Sequence, residues 1–255
     1  MMSEGRAILI ERNGTVATIT LNRPAARNAM NYAALELLEQ ELDALEAEPP
    51  RVVVLRGASP GFCSGIDLKE SREATPEFAN RRVKLMHRVL RKLRRFPAPV
   101  VVAVDGVAAG LGCELAISGD IRIASRSARY SYPEPRVSVP SPAHHLVWLI
   151  GLARAQDMLL TARWVDADEA ERFGVATRVA DDIDTAVAEE VARLLALSPR
   201  SLTDTKANIW KAIDAGADAA SQHHIDGVTF AASTADRREA LAAFAEKRDP
   251  VFRGE

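Results

Sequence analysis

Val100-Val101-Val102-Ala103-Val104-Asp105-Gly106-Val107-Ala108-Ala109-Gly110-Leu111-Gly112-Cys113-Glu114 is the stretch that decides how this chain folds. Residues 100–104 are apolar without interruption, so they read as a strand covered on both faces rather than one that alternates with solvent. A glycine-rich loop follows, and residues 113–118 read as a helix of small residues that packs closely against its neighbours. The same events occur once before. Val52-Val53-Val54-Leu55 leads into a loop at 57–65 rich in Gly, Ser and Pro, and residues 66–70 read as the first turn of a helix. Strand, glycine loop and helix, met twice, argue for an α/β fold. Each helix start offers unpaired N–H groups and the positive end of the helix dipole, and glycine lets a ligand approach the backbone. Either loop alone is also what a tight strand-to-helix turn requires; two together point to a site for an anion or a developing oxyanion. A nucleotide phosphate fits poorly. Gly106, Gly110 and Gly112 do not make Gly-x-Gly-x-x-Gly, there is no Gly-x-x-x-x-Gly-Lys-Ser/Thr, and Glu114 would repel a phosphate at the second helix.

Outward from these loops the pattern continues in strand-strand-helix units. Residues 7–11 and 15–21 read as a hairpin turning at Asn13-Gly14. Residues 32–46 carry Leu35, Leu38, Leu42 and Leu45 at helical spacing, and 81–96 carry Val83, Met86, Leu90 and Leu93 on one stripe. Strand-like segments at 121–124 and 128–132 precede a Pro-rich stretch, 133–142, that is neither helix nor regular strand and forms a candidate site wall. Helical patterns cover 146–161 and 166–173, Gly174 serves as a cap, and 175–179 reads as a strand. The final third is helical at 183–197, 201–215, 221–234 and 236–246. The expected organisation is a core of repeated units over 1–195, with stacked, roughly perpendicular sheets, and a helical region over 196–255.

The composition excludes several functions. With 255 residues, 47% of them hydrophobic and 27% charged, the chain has material for a sizeable core. Its 33 basic and 35 acidic residues nearly cancel, so nothing favours nucleic acid or an anionic membrane surface. The first residues lack an apolar segment of signal-peptide length and the longest apolar run is far too short to span a bilayer, so a cytoplasmic protein is expected. Cys63 and Cys113 form neither a disulfide framework nor a metal-ligand cluster, and no metal is expected.

Four motifs, in order and nearly end to end, resemble the enoyl-CoA hydratase/isomerase (crotonase) family. They are Leu21-Asn22-Arg23-Pro24 with Asn28-Ala29-Met30-Asn31; Arg56-Gly57 through Phe62-Cys63-Ser64-Gly65-Ile66-Asp67-Leu68-Lys69; Val104-Asp105-Gly106 through Gly110-Leu111-Gly112-Cys113-Glu114-Leu115-Ala116; and Glu246-Lys247-Arg248-Asp249-Pro250-Val251-Phe252.

The resemblance implies a spiral of ββα units and a coenzyme A thioester as substrate, with no separate cofactor. The N–H groups of Ile66 and Leu111 would form an oxyanion hole, since two preorganised donors stabilise the enolate that arises when C2 gains or loses a proton. Glu114 would position and deprotonate a water for C3, while Glu134 handles the proton at C2. Coenzyme A would be met at Ala26, Arg27, Ser64, Gly65, Asp67, Leu68, Lys69 and Gly110, with Phe244 and Lys247 arriving from the C-terminal helices of the same or a neighbouring subunit, and Arg23 and Arg248 are further candidates for its phosphates. A homotrimer or a hexamer would cover Trp210, Ile213, Val228 and Phe230. The chain departs from the hydratase pattern at one place: Pro140-Ser141-Pro142-Ala143-His144-His145 replaces a Gly-rich turn, where His144 or His145 could touch the acyl group, although a His pair is more often surface or interface than catalytic. Hydration of a 2-enoyl-CoA is the leading expectation. Double-bond isomerisation, or binding of an acyl-CoA without turnover, are the alternatives.

Overall fold

The computed structural model describes residues 5–142 and 144–254, and for His144 the backbone only. The chain opens with an antiparallel hairpin of β1 (Ile8–Asn13) and β2 (Val16–Leu21). Helix α1 (Tyr32–Ala47) starts at Asn31, whose side-chain oxygen accepts the Ala34 N–H at 2.9 Å, and it buries the expected leucine stripe. Strand β3 (Val52–Gly57) leads through the first glycine loop to α2 (Leu68–Arg72) and α3 (Pro76–Arg95). Next come β4 (Val100–Val104), β5 (Val107–Ala109), α4 (Leu111–Ile117), β6 (Ile121–Ser125) and β7 (Arg129–Ser131). Helices α5 (His144–Ile150) and α6 (Leu152–Thr161), strand β8 (Val165–Asp166), helix α7 (Ala167–Phe173), strand β9 (Arg178–Ala180) and helix α8 (Ile183–Leu195) complete the mixed region. Three helices end it: α9 (Pro199–Ala215), α10 (Ala217–Ala231) and α11 (Ala235–Glu246).

One sheet has the order β1-β2-β3-β4-β6-β9, and a second the order β5-β7-β8. Consecutive strands divide between them: β4 and β6 enter the large sheet, while β5 and β7, reached through residues 105–106 and 126–128, enter the small one. The first loop does the same on a smaller scale, because Cys63, which follows β3, bridges to Ala108 of β5. Each turn of the chain therefore lays one segment on each sheet before its helix, which is the ββα spiral.

The uninterrupted apolar runs follow from this. Val53, Leu55, Val100, Val102 and Val104 face the main core, whereas Val52, Val101 and Ile123 face the other way and are covered by Leu194 and its neighbours on α8. With a partner on either face no position is left for alternation.

Several boundaries differ from the sequence reading. The first loop does not open a helix at residue 66: Ile66 forms an isolated bridge with Met30, and α2 begins after Asp67, whose carboxylate accepts the Lys69 N–H. Val83 is 41% exposed, and Arg82, Leu85 and Val89 share the buried face of α3 with Met86, Leu90 and Leu93. Gly151, at φ +78°, splits the 146–161 pattern into α5 and α6. Residues 175–176 are buried in a turn, so the strand expected at 175–179 pairs only at 178–180. The Pro-rich stretch holds a short 3-10 turn, Glu134–Val137.

Among the C-terminal helices, α9 is fixed to the core by Lys206, whose buried Nζ donates to Asp120 at 2.6 Å and to the Ala98 carbonyl at 3.1 Å. Ile213, Val228 and Phe230 are exposed in the single chain. Trp210 departs from that expectation, since its ring lies beneath the Arg95 guanidinium at 4.6 Å and beside the His145 ring at 5.6 Å. No helix among the described residues is long and apolar enough to cross a membrane.

Candidate active site

The two glycine loops meet face to face. Met30 donates its N–H to the Gly65 carbonyl at 2.8 Å, and Asp67 donates to the Met30 carbonyl at 3.0 Å. In this parallel bridge the intervening N–H, that of Ile66, points away from Met30 and has no acceptor among the described residues. From the other side, Cys63 donates to Val107 and accepts from Ala109, which lays the first loop along β5. Leu111 is the first residue of α4, so its N–H has no carbonyl one turn back, and it too lacks an acceptor among the described residues.

Glycine makes this approach possible at two positions. Gly65 has φ +103°, and a Cβ there would fall 2.8 Å from the Ala109 carbonyl oxygen and 3.7 Å from the Leu111 nitrogen. Gly110 has φ +53° and ψ −116°, open to glycine and strained for any other residue. A Cβ at Gly110 would fall 2.6 Å from Oε1 of Glu134. The peptide carrying the Leu111 N–H is thus bracketed by the Gly65 backbone and the Glu134 carboxylate.

Glu114 sits one turn into α4, a helix whose residues are all buried, and is 1% exposed itself. Its Oε1 accepts the Tyr132 hydroxyl at 2.9 Å, and its Oε2 has no donor among the described residues. Burial pushes the Glu114 carboxyl up to about 7, the Tyr132 hydroxyl and the Arg94 guanidinium oppose that rise, and Glu134 adds to it. Glu134 opens the 3-10 turn after β7 and accepts from the Ser141 hydroxyl at 3.3 Å on Oε2. Burial raises its carboxyl as well, against its own N–H and Ser141. A buried and a half-buried carboxyl, both raised by loss of solvent, beside two unpaired N–H donors, can polarise a carbonyl and move protons at the carbons next to it.

Most residues expected to meet coenzyme A lie together on one rim. Ala26 ends a short 3-10 turn and Arg27 follows in the left-handed region, next to Ser64, which donates its N–H to the Arg27 carbonyl at 3.1 Å. Arg23 pairs with Asp67 at 3.0 Å, so that guanidinium is partly spent inside the protein. Leu68 and Lys69 are exposed just beyond. Asn28, 1% exposed, holds the rim in place: its amide donates to the carbonyls of Ala58 and Gly61 at 2.6 and 2.7 Å. Phe244 is 85% exposed on α11 and Lys247 caps that helix; within the single chain no hydrogen bond or ion pair joins either to the rim among the described residues. Arg248 is paired with Glu239 and Glu246. The side chain of His144 lies outside the described residues, and His145 turns to α4, its Nε2 2.9 Å from the Ile117 carbonyl.

The sequence reading missed Tyr132 and Ser141 as partners of the two glutamates, and it missed Arg94. Tyr132 lies just past β7, and Ser131 between it and Tyr130 is buried as well, so no alternation marks it. Arg94 is one of several basic residues in the last turn of α3, with nothing to single it out.

The model of the enoyl-CoA hydratase/isomerase family matches residues 11–255. The chain is 32% identical to a short-chain-enoyl-CoA hydratase of Clostridium acetobutylicum, over 94% of this chain and 95% of that protein. It is 37% identical to a probable enoyl-CoA hydratase of Mycobacterium bovis, over 93% and 89% respectively. Among solved structures it is similar to an enoyl-CoA hydratase from Bacillus anthracis, with a TM-score of 0.93, 30% identity and coverage of 98% of this chain and 100% of that one. An enoyl-CoA hydratase/carnithine racemase from Magnetospirillum magneticum gives a TM-score of 0.90 at 34% identity, covering 98% and 96%.

Proposed function

We propose that this chain, which belongs to the enoyl-CoA hydratase/isomerase family, catalyses the syn addition of water across C2–C3 of a 2-enoyl-CoA, or the reverse dehydration. The observation that carries this is the placement of two carboxyls of raised pKa, Glu114 and Glu134, around the loop that presents the unpaired Leu111 N–H beside Gly65 and Ile66.

In this reading the thioester oxygen accepts from the Ile66 and Leu111 N–H groups. Negative charge delivered to that oxygen when C3 is attacked meets two fixed donors that need no reorganisation. Glu114 takes the water: Tyr132 holds one oxygen, leaving Oε2 to accept a water proton while the water oxygen attacks C3. Glu134, steered by Ser141, delivers the proton to C2 of the enolate. The two carboxyls then hold one proton between them, as before, and the dehydration runs the same steps backwards. The rim at Ala26, Arg27, Ser64 and Lys69 is assigned to coenzyme A, and a cytoplasmic trimer or hexamer would supply cover for the apolar side chains exposed on α9 and α10.

Isomerisation of a 3-enoyl-CoA needs the two donors and one base but no activated water. The unpaired oxygen on Glu114 favours hydration over it. The assay is loss of the conjugated enoyl-thioester absorbance in the native protein: turnover that stops when water addition is blocked in Glu114→Gln supports hydration. Conversion of a 3-enoyl-CoA with no change in any 2-enoyl-CoA would replace it with isomerisation.

A further inference from the structure

Arg23 stands beside the coenzyme A rim, yet its side chain is directed into the loop that carries Ile66. Nη1 of its guanidinium donates to the Ala29 carbonyl and, at 3.0 Å, to Oδ2 of Asp67. The Arg23 side chain is 24% exposed and that of Asp67 13%, so the pair lies largely inside the protein. Asp67 is anchored in turn, its Oδ1 accepting the Lys69 N–H at 3.0 Å. Burial works to raise the Asp67 carboxyl, but Arg23 and the N–H groups of Lys69 and Glu70 together bring it below its ordinary value. The pair is therefore ionised at neutral pH.

A trans peptide is planar, and its carbonyl and N–H point in opposite directions. The carbonyl that accepts from Arg23 belongs to the Ala29–Met30 peptide, whose N–H donates to the Gly65 carbonyl at 2.8 Å. That carbonyl belongs to the next peptide in line, and its opposite end is the open Ile66 N–H. Guanidinium, two peptides and the unpaired donor thus form one hydrogen-bonded line. The second peptide needs holding, because Gly65, at φ +103°, leaves it freer to turn over than any other residue would. We propose that Arg23 is a positioning residue for the oxyanion hole: it fixes the Ala29–Met30 peptide, and through it the direction of the Ile66 N–H. The inference rests on the assignment of that N–H to the thioester oxygen in the reading above. A charged donor at the head of the line also polarises the bonds after it, which strengthens the last donor. The rim is held separately, by main-chain groups of Arg23 that survive replacement of its side chain. Its N–H donates to Oδ1 of Asn28 at 2.9 Å, and its carbonyl accepts from the N–H groups of Ala26 and Asn28, both at 2.9 Å.

The test is the infrared stretch of the thioester carbonyl in a bound, saturated acyl-CoA labelled with carbon-13 at that carbon. It reads hydrogen bonding to the oxygen, comes only from folded and occupied protein, and needs no turnover. Native protein, Arg23→Met and Arg23→Lys are compared, with kcat on a 2-enoyl-CoA and the Kd of free coenzyme A, which has no thioester oxygen. In native protein the stretch should lie below its value in water; in Arg23→Met it should move back toward that value. There kcat should fall on the order of tenfold to a hundredfold while the Kd of coenzyme A is unchanged. Arg23→Lys keeps a charged donor and should recover part of both losses. A native stretch equal to that in water would remove the oxyanion hole, and this inference with it. A lowered native stretch that Arg23→Met leaves in place would overturn the inference alone. So would weaker binding of coenzyme A by Arg23→Met with kcat intact, which is the mark of a phosphate ligand.

Discussion

Tyr132 donates its hydroxyl to Oε1 of Glu114 at 2.9 Å while Oε2 of the same carboxylate has no donor. One oxygen is thereby committed to the fold and the other is left for chemistry. This division sets the first expectation. In Tyr132→Phe the carboxylate loses its one protein donor, so the carboxyl, which burial has already pushed to about 7, rises further. The alkaline limb of the kcat/KM profile should move upward, with kcat reduced. A limb that stays where it is in the native protein would remove Tyr132 from the tuning of Glu114.

The pH profile itself follows from the pair. Hydration needs Glu114 ionised and Glu134 protonated, so the active form holds one proton on the two carboxyls. Above about 7 the last proton leaves, and kcat/KM should fall with rising pH; at lower pH a second proton binds and kcat/KM falls again. Glu114→Gln and Glu134→Gln should each lower kcat on the order of a hundredfold or more and abolish the bell shape. Full activity in either variant would strip that residue of its role.

The same burial has a stability consequence. Because the folded carboxyl of Glu114 lies above its ordinary value, the folded state is favoured where Glu114 is protonated. That contribution is fully present below the ordinary carboxyl range and is lost as pH rises through about 7. Glu114→Gln should therefore be more stable than the native protein in alkaline buffer, by up to about 3 kcal/mol, with the difference vanishing in acid. Urea unfolding at several pH values measures it, and an equal difference at all pH values would contradict the assignment.

Gly110 tests the geometry of the second loop. A methyl group there needs a left-handed backbone and would fall 2.6 Å from Glu134 Oε1. Gly110→Ala should cost about 1–3 kcal/mol of stability through strain alone. It should also depress kcat far more than that loss explains, since Glu134 and the Leu111 N–H are displaced together. Retained activity with reduced stability would separate this loop from the chemistry.

Lys206 and Asp120 join α9 to the core in a buried pair, and burial moves each toward its neutral form: the carboxyl up and the ammonium down. Pairing opposes both shifts without cancelling them, so the pair adds little net stability while each partner depends on the other. Lys206→Met should destabilise by about 3 kcal/mol, and adding Asp120→Leu should restore much of that. Strictly additive losses in the double variant would show that the two residues act separately.

Much of this was open to reading in the sequence. Residues 52–55 and 100–104 announce strands buried on both faces because α8 covers one side of the sheet and the main core the other. The leucine spacing of α1 and the Asn13 turn are local signals, and the chain obeys them. Two kinds of feature were hidden. Ile66 looked helical because Leu68 to Arg72 continue as a helix, yet its conformation is set by Met30, a residue far away along the chain. Tyr132, which holds Glu114, follows β7, and Arg94, whose charge reaches Glu114, stands in α3, and no spacing along the chain links residues 94, 114 and 132. The glycines that hold the two loops together were visible, but that Gly110 faces Glu134 is a fact of packing.

The central claim is that the N–H groups of Ile66 and Leu111 share one acceptor, the thioester oxygen. A crystal structure of the protein with a bound, unreactive acyl-CoA ester measures this directly. The expected result places that oxygen within about 3 Å of both nitrogens, with Glu114 and Glu134 on either side of the bound C2–C3 segment. A thioester oxygen held by other groups, with either amide turned away from it, would contradict the account.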